Sequence, residues 1–346
     1  MLHKLHSYDI AGNALAWIKS FLTERKQCTR VGNSVSDYEY LISGVVQGSC
    51  LGPLLFVIYI NDIAELFNQQ CVCKLYADDL KLYMCMNLPS FASDFQYYLD
   101  KLTLWSNTWQ LNISHKKCSV MQVGSRKTNY AFSLASNPLC DVNAVRDLGV
   151  LIDRSLKFDN HIRDIVTRAC TRANLIHKCF RSRDTSTLVR AYITYVRPLL
   201  EYASSVWSPH LLKDIKRVES VQRRFTKRLP GMGDKTYSRR LTDIGLESLE
   251  LRRLQQDLVL TYKILFSKLV VNYENMFNVR LHSRTRGHDW KLMTSHSHID
   301  IRKHFHCVRV VAPWNSLNMT VNDLNSVKKF RSLVKKSDLT QFLYYV

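Results

Sequence analysis

The sequence predicts an α+β fold, because a mixed first part is followed by a mostly helical second part. Short strand-like runs alternate with helical stretches up to residue 158, whereas apolar residues recur at helical spacing over 159–267. Residues 268–346 are less regular. The composition, 46% hydrophobic and 23% charged, is typical of a folded globular protein, and a length of 346 residues suggests two domains.

Amphipathic patterns place the individual elements. Leu15, Ile18 and Leu22 recur at helical spacing and predict a helix over 10–24. Pro53 suits the first turn of a further, apolar helix, where a missing backbone N–H costs nothing. The other predicted elements are strands at 28–31, 38–42, 119–123 and 147–152, a helix at 90–109, and two helical stripes that begin at 162 and 215.

Residues 73–83 carry the pattern of a β-hairpin, since apolar and polar residues alternate on both sides of a tight Ala-Asp-Asp centre. Such a hairpin would project the adjacent carboxylates of Asp78 and Asp79 from a rigid tip. Carboxylate oxygens suit hard cations such as Mg²⁺, and two such ions can clamp the attacking and leaving oxygens of a phosphoryl transfer. The alternative is that Asp-Asp serves only as a favourable turn dipeptide.

The charge of the chain indicates a polyanionic partner. The formal net charge is +20, and between residues 161 and 265 Lys and Arg outnumber Asp and Glu by 21 to 10. Basic pairs on one helix face form a stripe that can follow a phosphate backbone. The alternative is an ordinary solvated surface. The densest part of the stripe comprises Arg223, Arg224, Lys227 and Arg228.

Neither membrane insertion nor zinc binding is expected. The most apolar run, 51–60, is about half the length that spans a bilayer, and the first residues lack the apolar core of a signal peptide. The ten cysteines are therefore expected to be free thiols in a reducing, intracellular compartment. No zinc-finger spacing joins Cys71, Cys73 and Cys85, or the histidines near the C-terminus. Those histidines are His282, His288, His296, His298, His304 and His306, with Cys307 beside them.

Two motifs give the chain a resemblance to reverse transcriptases. YADD at 76–79 is similar to the metal-binding motif of that family, and GVVQGSCLGPLLF at 44–56 resembles its glycine-rich motif, in the same order and spacing. The closest similarity is to the non-long-terminal-repeat (LINE-like) retrotransposon enzymes, in which the second motif runs into an apolar helix like 57–63. Shorter similarities at 105–118, 147–158, 197–209, 218–225 and 309–317 cover most of the remaining chain.

The resemblance implies an RNA-directed DNA polymerase, a nucleotidyltransferase, with an incomplete right-hand polymerase fold. The palm, with a small antiparallel sheet and a primer-grip-like hairpin, would occupy 1–158, a helical basic thumb 159–267 and a tail region 268–346. The implied cofactor is Mg²⁺ or Mn²⁺, and the implied partners are an RNA template, a DNA primer and deoxynucleoside triphosphates. Family enzymes prime from nicked chromosomal DNA, which implies a nuclear site of action. The oligomeric state is not indicated.

The same resemblance assigns roles to individual residues. Asp78 and Asp79 would bind the metal, and Lys117 would lie near the departing pyrophosphate, although it could equally be a lysine on a surface turn. Glycines allow the backbone to approach a base pair or phosphate closely, so the glycine-rich loop would hold template and incoming nucleotide. The nucleotide- and template-binding residues would be Tyr76, Ala77, Gln47, Gly48, Ser49, Gly52 and Pro53.

The first catalytic Asp of the family is expected to be missing from these 346 residues. In the family it lies in a strand upstream of the first helix, and residues 1–5 already resemble the stretch after that strand, so the fingers would be missing too. Asp9 is no substitute, since it stands where the family commonly has Gly, and Asp62 is interpreted as a surface residue. A truncated chain with two of three carboxylates would hold at least one metal ion poorly and would polymerise weakly or not at all.

Two alternatives remain open. The chain could be a non-catalytic remnant that binds RNA or single strands through its basic helices, in which case Asp78→Ala would leave every activity unchanged. Its reading frame could also be a relic whose product rarely folds, because apolar palm surface would be exposed without fingers.

Overall fold

The chain separates into two compact units in a computed structural model that describes residues 1–87, 89–124, 128–266, 268–280 and 290–344. The first unit is formed by Met1–Val120 with Lys127–Asp141, and the second by Met121–Arg126 with Val142–Val346. Helices and small sheets occur in both units, which confirms the predicted α+β class. None of the described helices is long and apolar enough to cross a membrane. All ten cysteines are free thiols.

Among the described residues, the first unit contains four α-helices and a set of two-stranded ladders. The helices are α1 (Leu2–Ser7), α2 (Gly12–Leu22), α3 (Leu51–Ile60) and α4 (Phe91–Thr108), with 3-10 turns at Asn61–Leu66 and His115–Lys117. The strands are β1 (Lys26–Gln27), β2 (Arg30–Val31), β3 (Ser34–Val35), β4 (Glu39–Tyr40), β5 (Cys71–Tyr76), β6 (Asp79–Met84), β7 (Ser119–Val120), β8 (Ser133–Leu134), β9 (Asn137–Pro138) and β10 (Cys140–Asp141). β1 pairs with β4, β2 with β3, β5 with β6 and β8 with β9, all antiparallel, whereas β7 and β10 are parallel.

The principal elements expected in this unit are present. The helices predicted at 10–24 and 90–109 are α2 and α4, the apolar helix is α3, and the hairpin is β5–β6. α1 was not expected, because six residues are too few for a periodic pattern. Asp9 lies in the turn between α1 and α2 with a φ of 59°, a conformation that glycine adopts most readily.

The helix α3 connects the two hydrophobic clusters of the first unit. Leu55 is fully buried in a cluster with Leu5 of α1 and Ile18 of α2. Ile60, at the other end of α3, is buried in a second cluster that includes Trp105 of α4. Because its sequence is apolar on every face, α3 can bury different sides at its two ends.

A buried lysine joins three of these elements. Lys4 of α1 is only 5% exposed, and its Nζ donates to Asp62 Oδ1 at 2.7 Å and to the Tyr59 carbonyl at 2.5 Å. The same ammonium lies 3.7 Å from the ring centre of Trp109, 4.7 Å from that of Tyr59 and 4.8 Å from that of Trp105. We call these residues the Lys4 cage. The cage holds α1 against the end of α3 and the last turns of α4.

The Lys4 cage corrects the interpretation of Asp62 as a surface residue. Asp62 is half-buried, pairs with Lys4 and also accepts a hydrogen bond from Trp105 Nε1 at 3.3 Å. A buried ammonium is costly unless it is paired and hydrogen-bonded, and the negative faces of aromatic rings supply further attraction. Asp62 is therefore the counter-ion that allows Lys4 to be buried.

The second unit is mostly helical. One antiparallel hairpin, β11 (Ala144–Asp147) with β12 (Val150–Asp153), precedes the helices. The helices are α5 (Asp159–Cys179), α6 (Thr185–Tyr195), α7 (Arg197–Glu201), α8 (Ser204–Trp207), α9 (Leu212–Lys227), α10 (Tyr237–Ile244), α11 (Leu249–Leu265), α12 (Asp300–Lys303), α13 (His306–Arg309), α14 (Val311–Ser316), α15 (Val321–Leu324) and α16 (Val327–Lys336), with 3-10 turns at Tyr273–Asn275 and Thr340–Phe342.

Two hydrophobic clusters lie along this unit. The first cluster contains the apolar residues of α5 and α9 that the sequence predicted as helical stripes. It also includes Val150 of β12. The β11–β12 hairpin therefore packs with the helices that follow it, although the predicted domain boundary at 158 separates them. Tyr202 also donates a hydrogen bond to the Leu148 carbonyl at 2.9 Å. The second cluster centres on Trp314 and Phe330, packed against α11. The C-terminal region looked irregular in sequence because α12–α15 are only four to six residues long.

A buried carboxylate organises the middle of the helical unit. Glu219 of α9 is 1% exposed and accepts from the Leu249 N–H at 3.0 and 3.1 Å, where α11 begins. The Tyr237 hydroxyl donates to the same carboxylate, and burial with this neighbouring charge raises the Tyr237 pKa. Gln222 Nε2 donates to the Tyr237 oxygen at 2.9 Å. An acidic group at a helix N-terminus is favourable, so Glu219 ties α9 and α10 to α11.

The Lys4 cage yields a stability prediction. Lys4→Met keeps the aliphatic stem but leaves Asp62 without its cation, and we expect the free energy of unfolding to fall by about 2–4 kcal/mol. Urea unfolding followed by tryptophan fluorescence would measure the loss. Lys19→Met, at an exposed position on α2, is the matched control and should be within about 0.5 kcal/mol of the parent. Equal stability of the two variants would contradict a structural role for the cage.

Candidate functional site

The hairpin β5–β6 carries the predicted carboxylates at its tip. Its register pairs Tyr76 with Asp79, so Ala77 and Asp78 form a two-residue turn. Ala77 has a φ of 50°, as two-residue hairpin turns require at their first central position. An alanine in this left-handed region costs about 1–2 kcal/mol. The six-residue strands and the core beneath them offset that cost and fix the position of Asp78.

The two faces of the hairpin differ in character. Leu75 and Leu80 form an opposed pair that packs, half-buried, on the cluster beneath the hairpin. Tyr76 and Asp79 form the next pair, on the opposite face, and both are exposed. Asp78 is also exposed, and within the described residues neither side-chain carboxylate forms a hydrogen bond or an ion pair. Their oxygens are therefore available to a ligand from outside.

The chemistry of this tip fits a divalent cation only in part. Hard cations such as Mg²⁺ and Mn²⁺ prefer carboxylate oxygens, and Mg²⁺ commonly uses one or two protein carboxylates together with water and substrate phosphates. Asp78 and Asp79 supply such a pair. Across the part of the chain that the structure describes, however, no group of three or more His, Cys, Asp or Glu residues could hold a metal ion.

The glycine-rich loop is a tight turn that opens α3. The Ser49 N–H donates to the Val46 carbonyl at 3.2 Å, and Gly48 has a φ of 78°, as the third residue of a type II turn requires. Ser49 Oγ donates to the same carbonyl at 2.7 Å and accepts from the Gly52 N–H at 3.1 Å. The serine hydroxyl thus caps an orphan N–H at the start of the helix.

The turn leaves its outer residues free for a ligand. Gln47 and Gly48 are exposed at its apex, and Pro53 is exposed in the first turn of α3. Gly52 is buried beneath them, where an added Cβ would lie 3.0 Å from Ser49 Oγ. Any larger residue at this position would require Ser49 to move before the loop could close on the helix.

Sequence reasoning missed the residue that anchors this loop. Arg25, half-buried after α2, donates from Nη2 to the carbonyls of Ser43 at 2.9 Å and Gly44 at 2.7 Å. Its Nε donates to the Leu22 carbonyl at 3.1 Å. Arg25 thus fixes the approach to the turn through backbone groups 18 and 19 residues away. No local pattern in the sequence marks such contacts.

The remaining predicted residues are exposed, except for Arg223. Lys117 is exposed at the end of the 3-10 turn His115–Lys117, so its role near a pyrophosphate stays a prediction. On α9, Arg223 is half-buried with its guanidinium 4.6 Å from the Tyr237 ring centre. The outward-facing basic residues of this helix segment are Arg224, Lys227 and Arg228.

Several of the cysteine and histidine side chains considered in the sequence take part in packing. Burial raises the pKa of the Cys71 thiol to about 11, so this cysteine carries a proton at neutral pH. His306 is 3% exposed and faces Asp257 at 3.4 Å inside the helical unit. His296 and His298 contact each other edge to face. His282 and His288 lie outside the described residues.

Comparisons with known proteins bear on this site directly. Residues 1–152 match the family model described as reverse transcriptase (RNA-dependent DNA polymerase). Over 223 residues the chain is 27% identical to a probable RNA-directed DNA polymerase from transposon X-element of Drosophila melanogaster, covering 62% of this chain and 24% of that protein. It is 26% identical over 225 residues to the RNA-directed DNA polymerase from mobile element jockey of the same species, covering 62% and 25%. A probable RNA-directed DNA polymerase from its transposon BS is 28% identical over 221 residues, covering 60% and 24%.

These comparisons relate the chain to a protein family and, within that family, to the polymerases of transposons. The residues that match the reverse transcriptase family model, 1–152, include both the hairpin and the glycine-rich loop. The named relatives are RNA-directed DNA polymerases of transposons and mobile elements, which confirms the resemblance to retrotransposon reverse transcriptases found in the sequence and makes this chain similar to an enzyme. The chain spans about a quarter of the length of these curated relatives.

The loop geometry yields a testable coupling. Gly52→Ala would press its Cβ against Ser49 Oγ and should cost about 1–3 kcal/mol of stability. Ser49→Ala removes the helix cap and should cost about 1 kcal/mol. The double variant lacks the closest clash, so its loss in thermal unfolding should be smaller than the sum of the single losses.

A matched pair tests whether the coupling is specific. Gly32 has a φ of 61° but open space around its Cβ position, so Ser49→Ala combined with Gly32→Ala should be additive. Additive losses for the Ser49 and Gly52 changes as well would show that the two residues do not interact.

Proposed function

We propose that this chain supplies the palm and thumb of an RNA-directed DNA polymerase, with residues 1–158 as palm, 159–267 as thumb and 268–346 as a tail region. The observation that carries the proposal is the tip of β5–β6, where two exposed carboxylates without internal partners project from a rigid hairpin. The match of residues 1–152 to the reverse transcriptase model supports the same assignment. An RNA template, a DNA primer and deoxynucleoside triphosphates would be its partners.

The chain's own residues would position the reactants. Asp78 and Asp79 would hold Mg²⁺ or Mn²⁺, and in a two-metal mechanism such ions neutralise charge on the attacking and leaving oxygens. The turn at Gln47 and Gly48 would place backbone against the template base and incoming nucleotide. Tyr76 is 65% exposed beside Asp79, so its ring could contact the incoming nucleotide.

The exposed Lys117 would act at the other end of the nucleotide. Its ammonium would neutralise charge on the departing pyrophosphate or donate a proton to it. No step of the mechanism depends on Lys117 for metal binding, so its loss should slow synthesis without abolishing it.

The same site needs a further carboxylate. Two ions at one site require several carboxylate oxygens, and the described residues provide only Asp78 and Asp79 at the hairpin tip. We therefore propose that a polypeptide of these 346 residues polymerises weakly or not at all by itself. Synthesis would require a strand that brings a third aspartate, together with the fingers that cover the nucleotide.

The proposed template sets where the protein would act. Priming from nicked chromosomal DNA would require the nucleus, and the formal charge of +20 suits both import and nucleic-acid binding. Imaging of the tagged chain in cells tests this part. Exclusion from the nucleus of cells in which the chain is stably expressed would contradict it.

Primer extension on an RNA template with Mg²⁺ tests the proposal. The 346-residue chain should show little or no extension, and a longer protein with a preceding aspartate-bearing strand and fingers from a related transposon polymerase should extend the primer. Asp78→Ala in the longer protein should reduce the rate at least about a hundredfold, because the carboxylate is a metal ligand. Asp37→Ala, an exposed aspartate outside the site, should leave the rate unchanged.

The outcomes separate the candidate functions. A longer protein that folds and binds primer–template but does not extend it would support the alternative, a non-catalytic RNA- or single-strand-binding chain. Extension by the 346 residues alone that Asp78→Ala abolishes would confirm the polymerase and refute the need for a further carboxylate.

A further inference from the structure

A small cleft lies between α5 and α9 in the helical unit. Its volume is about 50 Å³, and its walls include Cys170, Asn174 and His177 of α5, Arg224 of α9, and Arg228, which directly follows α9. A water molecule needs roughly 10–15 Å³ of such space, so the cleft has room for a few waters or for a small polar group. The two non-bridging oxygens of a phosphodiester are of this size.

The two arginines of the cleft are held in place but not neutralised. Arg228 Nη1 donates to Asn174 Oδ1 at 2.7 Å, and Arg224 Nη2 donates to Ser220 Oγ at 2.9 Å. Arg224 Nη2 also lies 3.5 Å from Cys170 Sγ. Neither guanidinium forms an ion pair with a carboxylate among the described residues, and each has five N–H donors in total. Both therefore keep donors for an anion.

The inner wall of the cleft has an unsatisfied polar atom. His177 is 5% exposed, its ring packs on Phe225 with centroids 4.5 Å apart, and its Nε2 is buried without a hydrogen-bond partner. Burial, and then the charge of Arg228, lower the pKa of His177 although the Phe225 backbone acts in the opposite sense, and the net shift favours the neutral imidazole. A neutral imidazole can carry its proton on Nε2 and donate it to an oxyanion. Buried polar atoms in proteins are normally satisfied, so a missing partner is indicated.

We propose that this cleft binds a single backbone phosphate of a nucleic-acid strand, with Arg224 and Arg228 donating to its oxygens and His177 Nε2 as the innermost donor. The proposal rests on the proposed nucleic-acid binding and specifies one subsite within it. Exposed Lys227 lies between the two arginines in sequence and would contact a neighbouring phosphate. Tethered guanidinium groups lose little freedom on binding, so the contact is preorganised.

Salt-dependent RNA binding measures the contact. The probe is a fluorescein-labelled single-stranded RNA, titrated by anisotropy at several NaCl concentrations with the full chain. Arg224→Gln combined with Arg228→Gln should weaken binding about tenfold and reduce the slope of log K against log[salt] by about one, since one phosphate contact is lost. The charge-matched control is Arg331→Gln with Lys335→Gln, an exposed pair at the same spacing on α16, which should reduce the slope by clearly less.

A variant that does not change the charge distinguishes binding of RNA in the cleft from attraction of RNA by diffuse positive charge. Cys170→Met fills the cleft without changing charge and should weaken binding severalfold, whereas Cys179→Met, exposed at the end of the same helix, should not. Unchanged thermal unfolding of each variant checks that the fold is kept. Loss with the arginine variant but not with Cys170→Met would show that the arginines act as diffuse charge, which overturns the proposal.

The design also distinguishes this proposal from the function on which it rests. If the unsubstituted chain binds no RNA at low salt, the proposed nucleic-acid binding fails and the subsite fails with it. If the chain binds RNA but the Arg224 and Arg228 variant matches its α16 control, only the subsite is refuted.

Discussion

The burial of one ammonium group, that of Lys4, constrains the first unit more than any other contact. An unpaired buried charge is strongly unfavourable, so Asp62 and the rings of Tyr59, Trp105 and Trp109 must all surround it. Their positions in turn bring α1, the end of α3 and the last turns of α4 together. Trp105 also belongs to the cluster on which Leu75 and Leu80 of the hairpin pack. The position of Asp78 and Asp79 on the hairpin therefore depends on the charge of Lys4, which lies on α1.

The helical unit also contains a buried charged group, the carboxylate of Glu219. Glu219 is buried, and the start of α11 and the Tyr237 hydroxyl satisfy its oxygens. These contacts use the inner face of α9, so Arg224, Lys227 and Arg228 remain on the outer face. A single helix thus combines a satisfied polar interior with a basic exterior. The buried inner face fixes the position of the helix, and the helix in turn fixes the spacing of the basic side chains on its outer face.

Local patterns in the sequence predict the parts of the site that are themselves local. The alternation around 73–83 predicts the hairpin, and Pro53 predicts the start of an apolar helix; the structure confirms both elements. Residue roles at the hairpin came from the family motif, because two adjacent aspartates alone are also a common turn dipeptide.

Contacts between distant residues could not be predicted in this way. Lys4 and Asp62 are 58 residues apart, and Arg25 reaches carbonyls beyond the whole β1–β4 arm, so neither leaves a periodic signal. Asp62 was misjudged for that reason. The sequence likewise does not indicate that His177 Nε2 lacks a hydrogen-bond partner, because the spacing of His177 shows only that it lies on the apolar face of a helix.

The proposed function requires the β5–β6 tip to bring a divalent cation to a bound nucleotide. Electron paramagnetic resonance with Mn²⁺, in the presence of a deoxynucleoside triphosphate, counts the ions that the protein holds beyond those on free nucleotide. The account predicts protein-dependent binding that is lost in the Asp78→Asn and Asp79→Asn double variant and kept in an Asp37→Asn and Glu39→Gln control. Equal Mn²⁺ binding by the parent and the Asp78 and Asp79 variant would contradict it.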